Sequence, residues 1–400
     1  MKIEPIVKGV VARSAHPLGC KQAILNQIKA VDSANDVLDQ SILPKRVLVL
    51  GGSSGFGLAS RIALAFGAAQ ADTISVSYEK GPSDKGVGTA GWYNNIYFKQ
   101  SAQQAHRKAI NINGDAFAQD IRKQVIQAIK EEFDGQVDLI IYSLATGARP
   151  GANGELWRSA IKPIGESLTG ASITFDSEQW LESTLAPATE QEIYETQKVM
   201  GGEDWANWID ELINADVIAK GAQSIAFSYI GPSSTHATYH QGTLGRAKVD
   251  LHQTSHAINL KLAPFAGSAY AVVCKALVTK ASVYIPTFAP YVIALYKAMK
   301  EQGVHETPIE QMIRLFNAHL YPSPRVDQER LIRIDDLELN PRVQTRVDQI
   351  LSELTKHNFK LLGDYKGFKQ EFMQLNGFEI EGVDYEHEFD LEQLIALGVQ

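Results

Sequence analysis

Cysteine is almost missing from this 400-residue chain. Cys20 and Cys274 are the only two. They form neither a disulfide framework nor a CxxC pair, which fits a reducing compartment. Long apolar runs are missing too. No stretch reaches the roughly 18 uninterrupted apolar residues that span a bilayer. The first residues (MKIEPIVKGVVARSAHPLGC) lack the continuous apolar segment of a secretory signal. A cytoplasmic protein with no membrane partner is expected. Basic charge is in deficit: 38 Lys and Arg against 46 Asp and Glu leave a net charge of −8. That argues against nucleic acid as the main partner. No repeat and no low-complexity linker interrupts the chain, and its length suffices for one large core or two ordinary ones.

What is present is an alternation of apolar runs and helical patterns. Strands are predicted at 47–50, 73–79, before Gly114, at 137–142, 224–229 and 269–275. Helices are predicted at 20–42 (Ile24, Ile28, Val31, Val37), 58–66, 92–105 and 116–133. Such alternation implies an α/β fold, a Rossmann-type doubly wound parallel sheet. A single domain is expected, with its core at about 44–282 and an N-terminal segment 1–43 packed on it. An insertion at 147–222 is too long for a simple crossover. It should add a short hairpin and helices over the strands' carboxyl ends. After residue 283, helices at 291–301, 309–320 and 340–355 should precede a polar tail.

The first apolar strand breaks into Gly51-Gly52-Ser53-Ser54-Gly55-Phe56-Gly57. Glycines there let a strand turn into a helix and let backbone N–H groups approach a pyrophosphate, which the helix N-terminus attracts. The spacing is Gly-x3-Gly-x-Gly rather than GxGxxG and resembles that of the short-chain dehydrogenase/reductase superfamily. Glu79 closes the second strand, where a carboxylate can accept from ribose hydroxyls and repel a 2′-phosphate, so NADH is expected over NADPH. Asp115-Ala116 and Leu144-Ala145 follow the third and fourth strands, at the adenine and nicotinamide-ribose positions of such a fold.

Tyr239 and Lys248, with eight residues between them, supply a phenol and an ammonium. A phenol can give a proton or a hydrogen bond to a developing oxyanion. A nearby ammonium can lower its pKa and hold the nicotinamide ribose. At about 100° per residue, this spacing puts the pair on opposite faces of one helix. Tyr239 is therefore expected on a loop, with Gly242 bending the chain and a helix starting near Thr243 as N-cap. Lys248 then lies on the second turn, facing the cofactor. Tyr229 closes the fifth strand before Gly231-Pro232, at the ligand-binding edge.

These pieces resemble the FabV-type enoyl-acyl-carrier-protein reductases, close kin of the trans-2-enoyl-CoA reductases. The matching stretches are AHPLGC (15–20), VLVLGGSSGFG (47–57), SYE (77–79), GTAGWYN (88–94), INGDAF (112–117) and VDLIIYSLA (137–145). MGGEDW (200–205), AFSYIGP (226–232), GTLGRAK (242–248), KALVTKAS (275–282) and NGFEIEGVDY (376–385) complete them. The resemblance implies NADH-dependent reduction of the trans-2 double bond of an enoyl-ACP or enoyl-CoA thioester, in fatty acid biosynthesis, by a monomer. It implies Tyr239 as proton donor, Tyr229 on the thioester carbonyl and Lys248 on the cofactor. It places Gly51 to Phe56, Tyr78-Glu79, Asp115-Ala116, Leu144-Ala145 and Leu277-Val278-Thr279 around NADH. Two stretches depart from the family pattern: Gly147–Asn153 is short of arginines, and His236-Ala237 stands where Trp-Pro is common. Both bear on the acyl or carrier side.

Other readings remain. A carbonyl reductase or alcohol dehydrogenase of the same superfamily would use Tyr239 on a carbonyl directly. A non-catalytic NADH-binding protein would tolerate loss of Tyr239. His236, His240, His252 and His256 form two His-x3-His pairs, but without HExxH or an evident carboxylate ligand no metal is expected. Cys274 reads as a buried hydrophobe, and Cys20 has no basic partner. Trp92 and Tyr93 either cover the cofactor or pack. The run 283–295 (VYIPTFAPYVIAL) either fills core or lines an acyl tunnel.

Overall fold

The computed structural model describes residues 1–34, 38–151 and 153–399. The apolar runs form one seven-stranded sheet: β1 (Arg46–Leu50), β2 (Asp72–Ser77), β3 (Ala109–Asn113), β4 (Val137–Tyr142), β5 (Ile218–Ser228), β6 (Ser268–Val273) and β7 (Ile332–Arg333). All neighbours pair in parallel, in the order β7-β6-β5-β4-β1-β2-β3. The order reverses between β1 and β4. In such sheets that is where a crevice opens beyond the carboxyl ends.

The strands are apolar on both faces because both are covered. The helices around the sheet are α1 (Pro17–Ala34), α2 (Gly55–Phe66), α3 (Ala90–Gln104), α4 (Gln119–Glu132), α5 (Glu190–Met200), α6 (Glu203–Asn214), α7 (Thr243–Leu262) and α8 (Phe288–Glu301), with α5 packed on α7. Val47, Val49, Leu139, Ile141, Ile225 and Val272 share one apolar cluster with α1, α2, α3 and α8. Leu48, Leu50, Ile74, Val76, Ile140 and Ala226 share the other with α4, α6 and α7.

Several expectations need correction. The first helix ends at Ala34, and Val37 lies outside the described residues. β2 stops at Ser77 and β5 at Ser228, so Tyr78, Glu79 and Tyr229 stand just beyond their strands. β5 starts earlier than expected, at Ile218, with a register shift before Gln223. The insertion holds two hairpins, 148–158 and 168–185. Its helix α6 is not a lid: Trp205, Trp208, Ile209 and Leu212, at helical spacing, bury against the sheet.

The C-terminal region departs most. It supplies β7, whose two residues are too few for any periodic signal. Its helices are α9 (Pro308–Arg314), continued as a π turn to Leu320, α10 (Pro341–Glu353) and α11 (Tyr365–Gln374). The supposed polar tail carries Phe359, Tyr365, Phe368, Phe372 and Phe378 into the main core. The sheet thus draws a strand from outside 44–282. No helix among the described residues is long and apolar enough to cross a membrane.

Candidate active site

The glycine turn sits at the carboxyl end of β1. Gly51 takes φ +91° and donates its N–H to the Val76 carbonyl at 2.8 Å. A Cβ on Gly51 would lie 2.4 Å from the Ser143 carbonyl oxygen, and one on Gly57 would lie 2.1 Å from the Gly51 carbonyl oxygen. Only glycine allows strand and helix to approach this closely. Ser54 is an extended N-cap whose side chain makes no capping bond. The first N–H groups of α2 therefore keep their capacity for an anion. Ahead of Ser54, Gly52 packs its backbone on Ser75. Gly55 faces Thr279, and the Phe56 ring lies 5.4 Å from that of Phe227.

Glu79 stands beside this turn. Its carboxylate accepts from the Ser53 hydroxyl at 2.6 Å and from Thr89, the N-cap of α3. Asn113 brackets its backbone, accepting from the Glu79 N–H at 2.8 Å and donating to its carbonyl at 2.9 Å. Tyr78 beside it is 77% exposed. Past β3, Asp115 accepts from the Phe117 N–H at 3.0 Å and Ala116 is buried. Past β4, Leu144 is half-buried and Ala145 exposed. Leu277-Val278-Thr279 follow β6. The Val278 N–H donates to the Tyr296 hydroxyl at 3.1 Å and the Thr279 N–H to Ser282 Oγ at 2.9 Å. All these residues border the crevice edge of the sheet.

The break between Tyr239 and Lys248 is present, with two corrections. Tyr239 ends a single helical turn, His236–Tyr239, rather than a loop. Gly242, with extended backbone, takes the N-cap position of α7. The Thr243 hydroxyl cannot cap, because it donates to the Ala160 carbonyl at 2.5 Å and accepts from the Lys162 N–H at 3.2 Å. Lys248 falls on the second turn, and its ammonium donates to the Phe227 carbonyl at 3.2 Å. Burial lowers it to about 8.

The Tyr239 ring packs edge-on against Tyr229, centroids 4.6 Å apart at 72°. Among the described residues its hydroxyl has no hydrogen-bond partner. Burial, and then the charge of Glu338, push this phenol far above its ordinary range. The expected lowering by Lys248 is therefore not what dominates. A phenol held protonated keeps its hydrogen available for a hydrogen bond to a developing oxyanion.

Glu338 is the residue that sequence reasoning missed. It lies in a turn after β7 and is fully buried. Its Oε1 accepts from the Tyr229 hydroxyl at 2.8 Å and the Tyr291 hydroxyl at 2.6 Å. Its Oε2 accepts from the Ala276 N–H at 2.6 Å. Burial raises its carboxyl above the ordinary value.

A cavity of about 280 Å³ opens beside Thr238. The hairpin residues Leu168 to Ala171 and Trp180, together with Thr287, Pro290, Leu351 and Leu354, line it. The run 283–295 thus divides: Thr287 and Pro290 face this cavity, while Tyr291 to Leu295 fill core. Tyr93 is wholly buried, and Trp92 stacks edge-on against it, 5.0 Å away. His252 bonds Ser228 Oγ at 2.7 Å, whereas His256 is exposed, so that pair does not converge. Among the described residues no group of three His, Cys, Asp or Glu is placed to hold a metal. Cys20 and Cys274 are both buried. Arg149 pairs with Glu203 at 2.8 Å inside the fold, so it is not offered to an acyl carrier.

Three family models match the chain in succession. They are described as the NAD(P)H binding domain of trans-2-enoyl-CoA reductase (residues 2–84), the trans-2-enoyl-CoA reductase catalytic region (86–321) and the enoyl reductase FAD binding domain (326–389). An NADH-dependent enoyl-acyl-carrier-protein reductase of Vibrio parahaemolyticus is 61% identical, over 99% of this chain and 100% of that one. The NADH-dependent trans-2-enoyl-CoA reductase of Clostridium acetobutylicum is 46% identical, over 98% of each. The crystal structure of the Clostridium acetobutylicum trans-2-enoyl-CoA reductase with NADH superposes with a TM-score of 0.95, at 45% identity, over 99% of this chain and 100% of that one. The Treponema denticola trans-2-enoyl-CoA reductase with NAD gives a TM-score of 0.92 at 40% identity, over 97% and 98%.

Proposed function

We propose, because this chain belongs to the family of trans-2-enoyl-CoA reductases and NADH-dependent enoyl-acyl-carrier-protein reductases, that it reduces the trans-2 double bond of enoyl thioesters with NADH. One observation carries the assignment to residues. Tyr239, its hydroxyl unpartnered among the described residues, packs its ring against Tyr229 at the carboxyl edge of a dinucleotide-type sheet, with the Lys248 ammonium at the Phe227 carbonyl nearby.

The residues present fit NADH. Gly51 to Phe56 offer a close backbone and an uncapped helix end to a pyrophosphate. Glu79 presents a carboxylate that accepts from ribose hydroxyls and disfavours a 2′-phosphate. Tyr78, Asp115, Ala116, Leu144, Ala145 and Leu277 to Thr279 would line the rest, with Lys248 at the nicotinamide ribose. They do not fit a flavin in 326–389. That segment has no glycine turn between strand and helix. Its apolar residues Val343, Val347, Ile350, Phe368 and Phe372 are buried in the chain's own core. No step is assigned to FAD.

Bound NADH supplies a hydride to the β-carbon of the substrate. Negative charge then gathers on the thioester oxygen as an enolate. Tyr239 meets that charge with its hydroxyl, since a donor aimed at a developing oxyanion lowers the barrier. Protonation at the α-carbon completes the saturated thioester. Tyr229 can share in this only by releasing Glu338, because a phenol has a single proton. Lys248 holds and orients; its ammonium is not the proton source. The cavity beside Thr238 is the place for the acyl chain or its carrier arm.

The more identical of the relatives carry the acyl-carrier-protein name, which supports that carrier over coenzyme A. The test is NADH consumption with crotonyl-CoA and crotonyl-ACP, beside NADPH and Tyr239→Phe. NADH- and tyrosine-dependent turnover is the expected result. Tight NADH binding with silence toward every enoyl thioester, but oxidation of alcohols with NAD, would turn the assignment to a carbonyl reductase.

A further inference from the structure

The segment after β6 is anchored in an unusual way. Lys275 to Thr279 continue past the last strand-paired residue, so their amides lack a ladder partner. Side chains take them instead. The Lys275 N–H donates to Gln311 Oε1 at 3.1 Å, the Ala276 N–H to Glu338 Oε2 at 2.6 Å and the Val278 N–H to the Tyr296 hydroxyl at 3.1 Å. Of these anchors, Glu338 alone also holds the substrate-side tyrosines. Its other oxygen takes the hydroxyls of Tyr229 and Tyr291. Gln344 closes the network from α10, donating to the Glu338 carbonyl at 2.7 Å and to the Tyr291 hydroxyl at 3.3 Å.

We propose that Glu338 is a positioning residue for the reduction. One oxygen fixes Tyr229 against Tyr239, and the other sets the cofactor-lining segment 277–279 in the same frame. Three consequences follow from the donor count. The carboxylate accepts three hydrogen bonds, so it can stay buried with no direct ion pair among the described residues, the Lys275 ammonium acting on it only at longer range. The Tyr229 proton is committed to it, so Tyr239 is the phenol left for the thioester oxygen. Hydride acceptor and hydride donor are registered through one side chain, where a misplacement of about 1 Å already slows a reaction severely. The proposal rests on the enoyl-reductase reading given above.

The test is Glu338→Gln, Tyr229→Phe and the double variant, with kcat, KM for NADH and crotonyl-CoA, and melting temperature measured on each. Glutamine has one acceptor oxygen instead of two, so it turns a donor toward either the Ala276 amide or the tyrosines. The expected result is a kcat lowered about tenfold or more and a raised KM for NADH, with the melting transition retained. The double variant should be no slower than its slower single parent, because Glu338 acts through Tyr229. A glutamine variant within about twofold of the parent in kcat and in KM for NADH overturns the proposal, and so do losses that simply multiply in the double variant. If Glu338→Gln does not fold, Glu338→Asp keeps the charge and shortens the reach. It should lose kcat as well, and parental kcat there overturns the proposal. A wild-type protein silent on crotonyl and on longer trans-2-enoyl thioesters, whether on coenzyme A or acyl carrier protein, overturns the enoyl-reductase reading itself, which separates the two failures.

Discussion

Replacing Lys248 by methionine should stabilise the protein while disabling it. Burial lowers the Lys248 ammonium from 10.5 to about 8. At about 1.4 kcal/mol per pH unit, keeping it charged in the folded state costs up to about 3 kcal/mol. Two effects reduce what its removal returns. The side chain keeps some exposure, and solvent screens the penalty. The Phe227 carbonyl also loses a donor, about 1 kcal/mol. A net gain of about 1 kcal/mol near pH 7 remains for a thioether of similar length, which is roughly a degree or two in melting temperature for a chain of this size. The sign with pH follows. Between about 8 and 10.5 the unfolded chain binds more protons than the folded one. Wild-type stability therefore rises through this window, and the advantage of methionine shrinks. Lys275, also lowered to about 8 by burial, titrates in both proteins and cancels in the difference. The assay compares melts of the two proteins without cofactor near pH 7 and near pH 9.5, beside NADH titration and crotonyl-CoA turnover. A methionine variant that melts lower near pH 7, or whose lead does not narrow near pH 9.5, refutes the burial argument. One that binds NADH and turns over like wild type refutes the role given to Lys248.

Tyr239→Phe should lower kcat by roughly two orders of magnitude, the loss expected for one oxyanion donor, with NADH affinity unchanged in a fluorescence titration; equal turnover removes Tyr239 from the chemistry. Glu79→Ala should raise kcat/KM with NADPH relative to NADH. An unchanged ratio shows that the carboxylate bonded to Ser53 and Thr89 is not the selector. Gly57→Ala places a Cβ 2.1 Å from the Gly51 carbonyl oxygen, backbone against backbone. It should therefore weaken NADH binding and lower the melting temperature together, and a variant with parental affinity contradicts the tight-turn account.

Much of this was legible because it is local. Val47 to Leu50 read as a doubly covered strand, and the structure leaves all four at 0% exposure. The glycines announced the turn, and the angle between Tyr239 and Lys248 announced a break. The errors at that break have local causes as well. Thr243 has a good capping side chain, yet backbone from residues 160–162 claims its hydroxyl. Phenol and ammonium were expected to interact, yet enclosure of the Tyr239 ring outweighs any such pull. Spacing shows where groups lie on a helix, not what the rest of the chain brings up against them.

Glu338 shows where local reading stops. Its partners are 109 and 47 residues from it for Tyr229 and Tyr291, and 62 for the Ala276 amide. Its own neighbourhood, Ile334-Asp335-Asp336-Leu337-Glu338, reads as a charged turn. Charged turns are ordinarily solvated, so nothing there marks the last carboxylate as wholly enclosed. Tyr291 is hidden in the same way, inside an apolar run whose bulk is core. Their assembly depends on β7, a two-residue strand that docks on Val272 and Val273 and so carries the following turn beneath the crevice. The sheet's first strands make the proposed cofactor edge from adjacent sequence, and its last strand imports the proposed positioning carboxylate from a C-terminal region that carries no glycine-turn motif. The proposed chemistry of this site is thus divided: the groups assigned to the reactants come from recognisable motifs, and the group assigned to align them comes from the part of the chain with the weakest signal.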